Sequence, residues 1–195
     1  MGRVEENKQQ KENRLMDTAF DLFTSQGIVK TSIDDIAKRA GIAKGTFYLY
    51  FKDKYDLQNR LIAHKTKAIF DHALANSGHE RIPTLDGKIL AVVDDILDQL
   101  KDDKLLLRFI YKNLSWGVFR RAIENSEDEF LRALEPEGES ALSRDDAAVV
   151  AYTILELTGS ACYSVILYND PVDLDTYKPY LHRSIKAILA EFGPE

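Results

Sequence analysis

Apolar residues recur at intervals of three and four along most of this chain, which is the spacing of one face of an α-helix. Alternation of apolar and polar residues, the mark of a half-buried strand, persists nowhere. The pattern therefore predicts an all-α fold. Its first part predicts a helix that ends at Gly27, short helices over 33–40 and 44–50, and a long connecting helix over 54–75.

The second part of the pattern follows a break at 76–84 that is marked by serine, glycine and proline. Its stripes predict helices over 85–101, 105–111, 116–134 and 144–168, an exposed loop over 136–140, and a final helix with Leu181 and Ile185. The helix over 144–168, capped by Ser143, is apolar nearly all round. Such a helix must be covered on more than one side.

A stretch near the N terminus carries the start and turn signals of a helix-turn-helix. Ser32 with Asp35, or Thr31 with Asp34, pairs a capping hydroxyl with a carboxylate three residues later. Gly41 follows the last apolar position of that helix and suits the left-handed backbone of a C-terminal cap. The next helix can therefore begin at once.

The helix after this turn presents an outward face without negative charge. Phe47 and Phe51 anchor it inward, and the residues left facing outward are Lys44, Gly45, Thr46, Tyr48 and Tyr50. These side chains can donate to phosphates and base edges. A glycine in a helix costs about 1 kcal/mol relative to alanine, so Gly45 indicates close approach to a partner such as DNA phosphate. Lys54, at the start of the connecting helix, is placed for a further phosphate.

This stretch resembles the DNA-binding domain of the TetR family of bacterial repressors. The matching residues are Thr31, Ile36, Ala37, Gly41, Lys44, Gly45, Thr46, Phe47, Tyr48, Phe51 and Lys54, within about a quarter to a third of the chain. The DNA-binding residues predicted from the motif and the resemblance are Thr31, Ser32, Lys44, Gly45, Thr46, Tyr48, Tyr50 and Lys54. Many members have a histidine where Tyr50 stands, which leaves open whether Tyr48 or Tyr50 meets the DNA.

The resemblance also implies an architecture and a mode of action. The fold it implies is an N-terminal three-helix domain joined by a long connecting helix to a C-terminal helical bundle. We predict a flexible arm over 1–12, a helix-turn-helix DNA-binding domain over 13–54 and a ligand-binding and dimerisation domain over 55–195. The function implied is a repressor that binds a near-palindromic operator as a dimer and is released by a small-molecule effector.

Charge and composition agree with this division. Residues 1–66 hold 12 Lys and Arg against 9 Asp and Glu, a net +3, whereas 67–195 hold 14 against 23, a net −9. A single cysteine excludes an internal disulfide and a cysteine-rich zinc site. The segment 1–11 lacks the apolar run of a secretory signal, and the longest uncharged run has 13 residues, so we expect a soluble cytoplasmic protein.

The last two helices predict a homodimer through a four-helix bundle. A stripe of mostly small residues on one helix and apolar residues on the other predict the interface: Ala147, Ala151, Leu155, Thr158, Cys162, Leu181, Ile185 and Ile188. The alternative is that the apolar helix forms the centre of a monomeric core.

Aromatic and polar residues on the middle helices suggest an effector pocket. The candidates are Tyr111, Asn113, Trp116, Phe119, Tyr152, Glu156 and Tyr163. Ordinary core aromatics would give the same pattern, and Glu156 can either recognise a cationic group or pair with Arg120 or Arg121. His64 and His72 lack a third partner for a metal, so neither a metal nor a cofactor is predicted.

Two other classes of function remain as alternatives. An effector-independent or architectural DNA-binding protein would use the same N-terminal domain. An α-helical enzyme is the least favoured, because the chain lacks a Gly-x-Ser-x-Gly elbow, a phosphate-binding Gly-rich loop and a His-Glu-x-x-His motif.

Overall fold

The computed structural model describes residues 3–78, 82, 84–115, 117–119 and 144–192. The helices formed there are α1 Arg3–Gln26, α2 Ile33–Arg39, α3 Lys44–Phe47, α4 Lys54–Gly78, α5 Leu85–Asp102, α6 Lys104–Tyr111, α7 Arg144–Tyr168 and α8 Leu174–Phe192. No strand occurs among these residues, and the all-α prediction is confirmed. The predicted helix over 116–134, apart from 117–119, the loop over 136–140 and the cap at Ser143 fall outside the described residues.

The chain forms two compact units, Met1–His64 and Lys65–Glu195. The division lies ten residues beyond the predicted boundary at 54, inside α4. The first unit packs α1, α2, α3 and the start of α4 around an apolar centre. Its fully buried side chains include Leu15, Ile36, Phe47, Phe51, Leu57 and Leu61. These are the residues whose helical spacing predicted the three-helix domain.

The segment predicted as a flexible arm over 1–12 is helical from Arg3 onward, where α1 begins. The segment 5–12 consists of glutamate, lysine, glutamine and asparagine. Most of these residues favour helix, and they extend the helix N-terminal to Leu15 without needing a buried face of their own.

The main core of the second unit lies between α5, α6, α7 and α8. It is formed by Leu90, Val93, Leu97, Leu107, Val150, Ile154, Cys162, Val165, Ile166, Leu174, Leu181, Ile185 and Leu189. A separate cluster surrounds Phe119 and includes Phe70 and Leu74 of α4, Leu114, and Leu155 of α7.

Ion pairs show the relative direction of α5 and α8. Asp86, near the start of α5, contacts Lys186, whereas Lys101, near its end, contacts Asp175. The two helices therefore run antiparallel. Between these pairs, Lys178 Nζ lies 2.7 Å from Asp98 Oδ1.

Two adjacent carboxylates of α5 face different neighbours. Asp94 Oδ1 lies 2.9 Å from His182 Nε2 of α8. Asp95 instead faces α4, where Asn76 Nδ2 donates to it at 2.7 Å and His72 Nδ1 lies at 3.1 Å. Neighbouring positions on a helix point about 100° apart, which explains why one carboxylate binds each helix.

Candidate nucleic-acid interface

The loop before α2 forms a reciprocal cap. The Asp35 backbone N–H donates to Ser32 Oγ at 3.1 Å, and the Ser32 backbone N–H donates to Asp35 Oδ2 at 3.1 Å. Hydrogen bonds from the Ser32 side chain and backbone lower the pKa of the Asp35 carboxyl. Of the two pairings that the sequence left open, Ser32 with Asp35 forms. Ser32 is exposed, but its hydroxyl is occupied by this cap.

Thr31 faces the interior instead. It is 1% exposed, its hydroxyl donates to the Gly27 carbonyl at 2.9 Å, and Gln26 Nε2 donates to that hydroxyl at 3.2 Å. The prediction that Thr31 contacts DNA is corrected, because a side chain buried in this way supports the loop from inside.

The turn between α2 and α3 is closed by Gly41. Its φ is +66°, a left-handed conformation that favours glycine. The Gly41 N–H donates to Lys38 O at 3.2 Å, and the Ile42 N–H donates to Ala37 O at 2.9 Å. This pair of bonds is a Schellman cap, which satisfies carbonyls at the end of α2 and sets the direction of α3.

Helix α3 is shorter than the predicted 44–50. It ends at Phe47 and continues as a tight turn, in which the Tyr50 N–H donates to Phe47 O at 3.0 Å. Phe47 and Phe51 are buried, with ring centroids 5.6 Å apart. These two rings hold α3 and the turn against the first unit, as their spacing predicted.

The outer surface of α3 and its turn is open to solvent. Tyr48 is 51% exposed and Leu49 is 78% exposed, whereas Tyr50 is half-buried with its ring near Phe51. Thr46 is also half-buried. A Cβ added at Gly45 would meet no protein atom within 4 Å, so nothing inside the described protein requires a glycine there.

Lys44 is exposed and paired with a carboxylate of α2. Its Nζ lies 2.9 Å from Asp34 Oδ2. The hydrogen bond to Asp34 and the charge of that group raise the pKa of the Lys44 ammonium. Exposed ion pairs of this kind contribute little to stability, so a phosphate can replace Asp34 as the partner at small cost.

Lys54 is directed inward, against the prediction that it binds a phosphate. Its Nζ donates to three main-chain carbonyls of the loop between α1 and α2: Ile28 at 2.8 Å, Thr31 at 2.9 Å and Val29 at 3.2 Å. An ammonium group has three hydrogens, and these three bonds use all of them. The role of Lys54 is therefore to position the loop.

Comparison with known proteins places this motif in a family. The model described as "Bacterial regulatory proteins, tetR family" matches residues 15–61. The HTH-type transcriptional regulator AcrR of Shigella flexneri is 40% identical over 55 residues, which are 28% of this chain and 26% of that protein. BetI of Cronobacter sakazakii, also an HTH-type transcriptional regulator, is 24% identical over 93% of this chain and 92% of its own. Residues 15–61 therefore match the DNA-binding domain of the TetR family.

Its fold agrees over nearly the whole length. The crystal structure of a TetR-family transcriptional regulator from Streptomyces coelicolor superposes with a TM-score of 0.66. The alignment covers 93% of this chain and 99% of that one at 17% identity, a likeness that shows the fold alone. These relatives are named as transcriptional regulators.

Two of the predicted effector residues, Tyr111 and Tyr163, lie against each other in the described part of the chain. Tyr111 and Tyr152 are 40% and 43% exposed, and Glu156 is exposed. Tyr163 stacks on Tyr111 at a ring distance of 3.9 Å, and the Asn113 amide donates to a main-chain carbonyl. Phe119 is buried in its own cluster, whereas Trp116, Arg120 and Arg121 fall outside the described residues. The spacing of apolar residues predicted the helices of this region, but it could not show which side of each helix faces a shared site.

Half of the eight predicted dimer residues lie in or against the main core of the single chain. Cys162, Leu181 and Ile185 are buried there, and Ile188 packs against them. Burial raises the pKa of the Cys162 thiol to about 12. Leu155 packs near Phe119, and Ala151 and Thr158 are half-buried, whereas the side chain of Ala147 is not described. The stripe thus binds helices of its own chain, so Cys162, Leu181 and Ile185 are corrected as dimer contacts.

Residues that the motif did not single out complete the surface. Leu49 is an exposed apolar tip beside Tyr48, and Asp34 neutralises Lys44 in the free protein. In the sequence, a leucine between two tyrosines is typical of a core position in a longer helix. Its exposure becomes evident only in the structure, where α3 ends at Phe47. Asp34 was visible as an outward acidic position, but its distance from Lys44 depends on the turn.

Proposed function

We propose that this chain is a regulator of the TetR family, a cytoplasmic repressor that binds near-palindromic operator DNA as a homodimer and is released by a small molecule bound in its C-terminal unit. The observation that carries the proposal is the open surface of α3 and its turn. Segment 43–52 has no acidic residue, Tyr48 and Lys44 are exposed, and the backbone at Gly45 is uncovered. This is a surface that a DNA groove can approach closely.

The side chains divide between two tasks. Lys44 supplies a charge for a phosphate, and such a contact holds the protein in register without reading sequence. Thr46 and Tyr48 carry hydroxyl groups that can donate to or accept from base edges. Tyr48 is the better candidate of the two tyrosines, because Tyr50 is half-buried against Phe51.

Dimerisation is supported by the exposed apolar surface of α7 and α8. The stretch Ala148–Tyr168 is long and apolar enough to span a membrane by length and composition alone, yet 33% of it is buried among the described residues. Val149 of α7 is 55% exposed and Tyr180 of α8 is 58% exposed. A second copy of the chain would cover this surface and present two α3 segments to the two halves of an operator.

The decisive experiment selects bound fragments from a random DNA pool and measures affinity by fluorescence anisotropy at several salt concentrations. We expect an enriched near-palindrome bound by two chains. Val149→Glu introduces a charge twice at a two-fold interface, so it should produce monomers in sedimentation and weaken binding to the full operator about 100-fold. Binding to a half-site should stay unchanged.

Leu105→Glu is the matched control, because Leu105 is 50% exposed on α6 of the same unit. It should leave both the dimer and DNA affinity intact. Enrichment of a non-repeating sequence, or dimers that persist in Val149→Glu, would contradict the dimeric arrangement. DNA binding that no small molecule weakens would favour the effector-independent regulator instead.

A further inference from the structure

An apolar side chain projects into solvent from the turn that follows α3. Leu49 is 78% exposed, which exceeds the exposure of Tyr48 (51%) and Tyr55 (54%) in the same unit. The sequence prediction named both neighbouring tyrosines as DNA contacts and left Leu49 out. A leucine held in water in this way contributes binding free energy when a partner covers it.

The residues on both sides of Leu49 are anchored to buried rings. The Tyr50 N–H donates to Phe47 O at 3.0 Å. The Tyr48 ring meets the Phe47 ring edge-on, with centroids 5.5 Å apart, and the Tyr50 ring lies 6.4 Å from that of Phe51. The turn thus presents Leu49 from a fixed backbone, so little conformational entropy is lost when a partner binds.

The surroundings of Leu49 favour nucleic acid over protein as this partner. Segment 43–52 has no acidic residue, and Lys44 and Lys52 are both exposed. Gly45, about one turn before Leu49, is exposed and has no side chain to obstruct a bulky partner. Protein interfaces are depleted of charge at their centres, whereas a DNA groove is lined by phosphates that lysines can approach.

We propose that Leu49 reads the 5-methyl group of a thymine in each half of the operator. The leucine side chain has no hydrogen-bonding group, so the donors and acceptors on base edges offer it nothing. Among the groups that base pairs present in the major groove, the thymine methyl is the apolar one. The inference rests on the proposed function, because it requires an operator, and it specifies one chemical feature of that operator.

Leu49 and Tyr48 then have different roles in recognition. The Tyr48 hydroxyl can donate or accept a hydrogen bond, so it suits a polar base edge. Leu49 instead distinguishes a pyrimidine that carries a 5-methyl group from one that does not. Thymine and uracil offer the same hydrogen-bonding groups, and the difference between them is therefore a direct measure of the contribution of Leu49.

The test replaces each thymine of the operator selected from the random pool by uracil, one position at a time and in both half-sites. Affinity for the full-length protein is measured by fluorescence anisotropy. We expect one position in each half-site at which the wild-type protein binds the uracil operator about tenfold more weakly. This is roughly the effect of removing one buried methyl group from each half.

Leu49→Ala connects this loss to the side chain. The variant should bind the thymine operator about tenfold more weakly than wild type and bind the thymine and uracil operators within about twofold of each other. Val29→Ala is the matched control, because Val29 is 81% exposed in the loop before α2 of the same unit. It should keep the full uracil effect at that position. Both variants should keep the wild-type unfolding midpoint, because both side chains are exposed.

A second pair of bases separates the methyl group from other effects of uracil. Cytosine and 5-methylcytosine, placed at the sensitive position, differ by the same methyl group in the same groove. The wild-type protein should bind the 5-methylcytosine operator about threefold or more tightly than the cytosine operator. Leu49→Ala should bind these two operators equally.

Three results would overturn the assignment. They are an operator in which no uracil replacement changes affinity, a uracil effect that persists in Leu49→Ala, and a loss in Leu49→Ala that is equal for all DNA sequences. The last would indicate that Leu49 contacts the sugar–phosphate backbone. A random pool that yields no preferred sequence would instead overturn the proposed function, and the thymine contact with it.

Discussion

The two units of the protein differ in the sequence separation between the residues whose polar groups contact each other. In the N-terminal unit, Ser32 caps with Asp35, and the turn bonds of Gly41 reach three residues back. In the C-terminal unit, Lys178 contacts Asp98 and His182 contacts Asp94, which are 80 and 88 residues away. The turn that leads into α3 is therefore held mainly by contacts between residues that are close in the sequence.

Lys54 is the main exception in the N-terminal unit, and replacing it gives the largest expected effect. Its three carbonyl partners lie 23 to 26 residues away. Lys54→Met keeps the apolar stem but removes all three charged hydrogen bonds, so it should lower the free energy of unfolding by about 2 kcal/mol. Chemical denaturation of the variant and wild type measures this change.

The salt dependence of DNA affinity distinguishes a lysine that positions a loop from one that binds a phosphate. Lys54→Met should weaken DNA binding but leave the slope of log affinity against log salt unchanged, whereas Lys44→Ala should reduce that slope by about 1. Lys52→Met is the stability control, since Lys52 is exposed. A reduced slope in Lys54→Met with unchanged stability would restore the original prediction of a phosphate contact.

The same difference explains what could be predicted from the sequence. The roles of Gly41 and Ser32 could be predicted because their hydrogen-bond partners lie within a few residues in the sequence. Thr31 and Lys54 were assigned to DNA because their residue types suit it, but a type does not reveal which side faces inward. In the second unit, Cys162 of the small-residue stripe packs in the core of its own chain, and the stripe alone could not distinguish a helix of the same chain from one of a second copy.

Asp95 tests the long-range contacts of the C-terminal unit. Burial alone would raise the pKa of the Asp95 carboxyl, but hydrogen bonds from Asn76, His72 and Gln99, with the charge of His72, lower it on balance. Because the pKa is lower in the folded state, the carboxylate stabilises the fold above its unfolded pKa, and this contribution disappears as the pH falls through the folded value. Asp95→Asn should therefore lose about 1.5 kcal/mol at pH 7.

The difference from wild type should shrink toward zero as the pH falls through the lowered pKa of the folded state, below which the carboxyl is protonated in both states. Denaturant titrations from neutral to acidic pH measure this convergence. Asp102→Asn, at an exposed position on the same helix, should be nearly neutral at every pH. A loss that is independent of pH would show that shape, rather than charge, makes Asp95 important.

Gly45→Ala has the smallest expected effect on stability and tests the local surface most directly. A Cβ at position 45 meets no protein atom within 4 Å, and alanine favours helix, so the free energy of unfolding should rise by about 0.5 kcal/mol. DNA affinity should fall, because the new methyl group lies where a phosphate approaches. Gly41→Ala is the contrasting variant: the space around it is equally open, but its φ of +66° should make alanine cost about 1 kcal/mol. Unchanged DNA affinity in Gly45→Ala would mean that the uncovered backbone of α3 is not a contact surface.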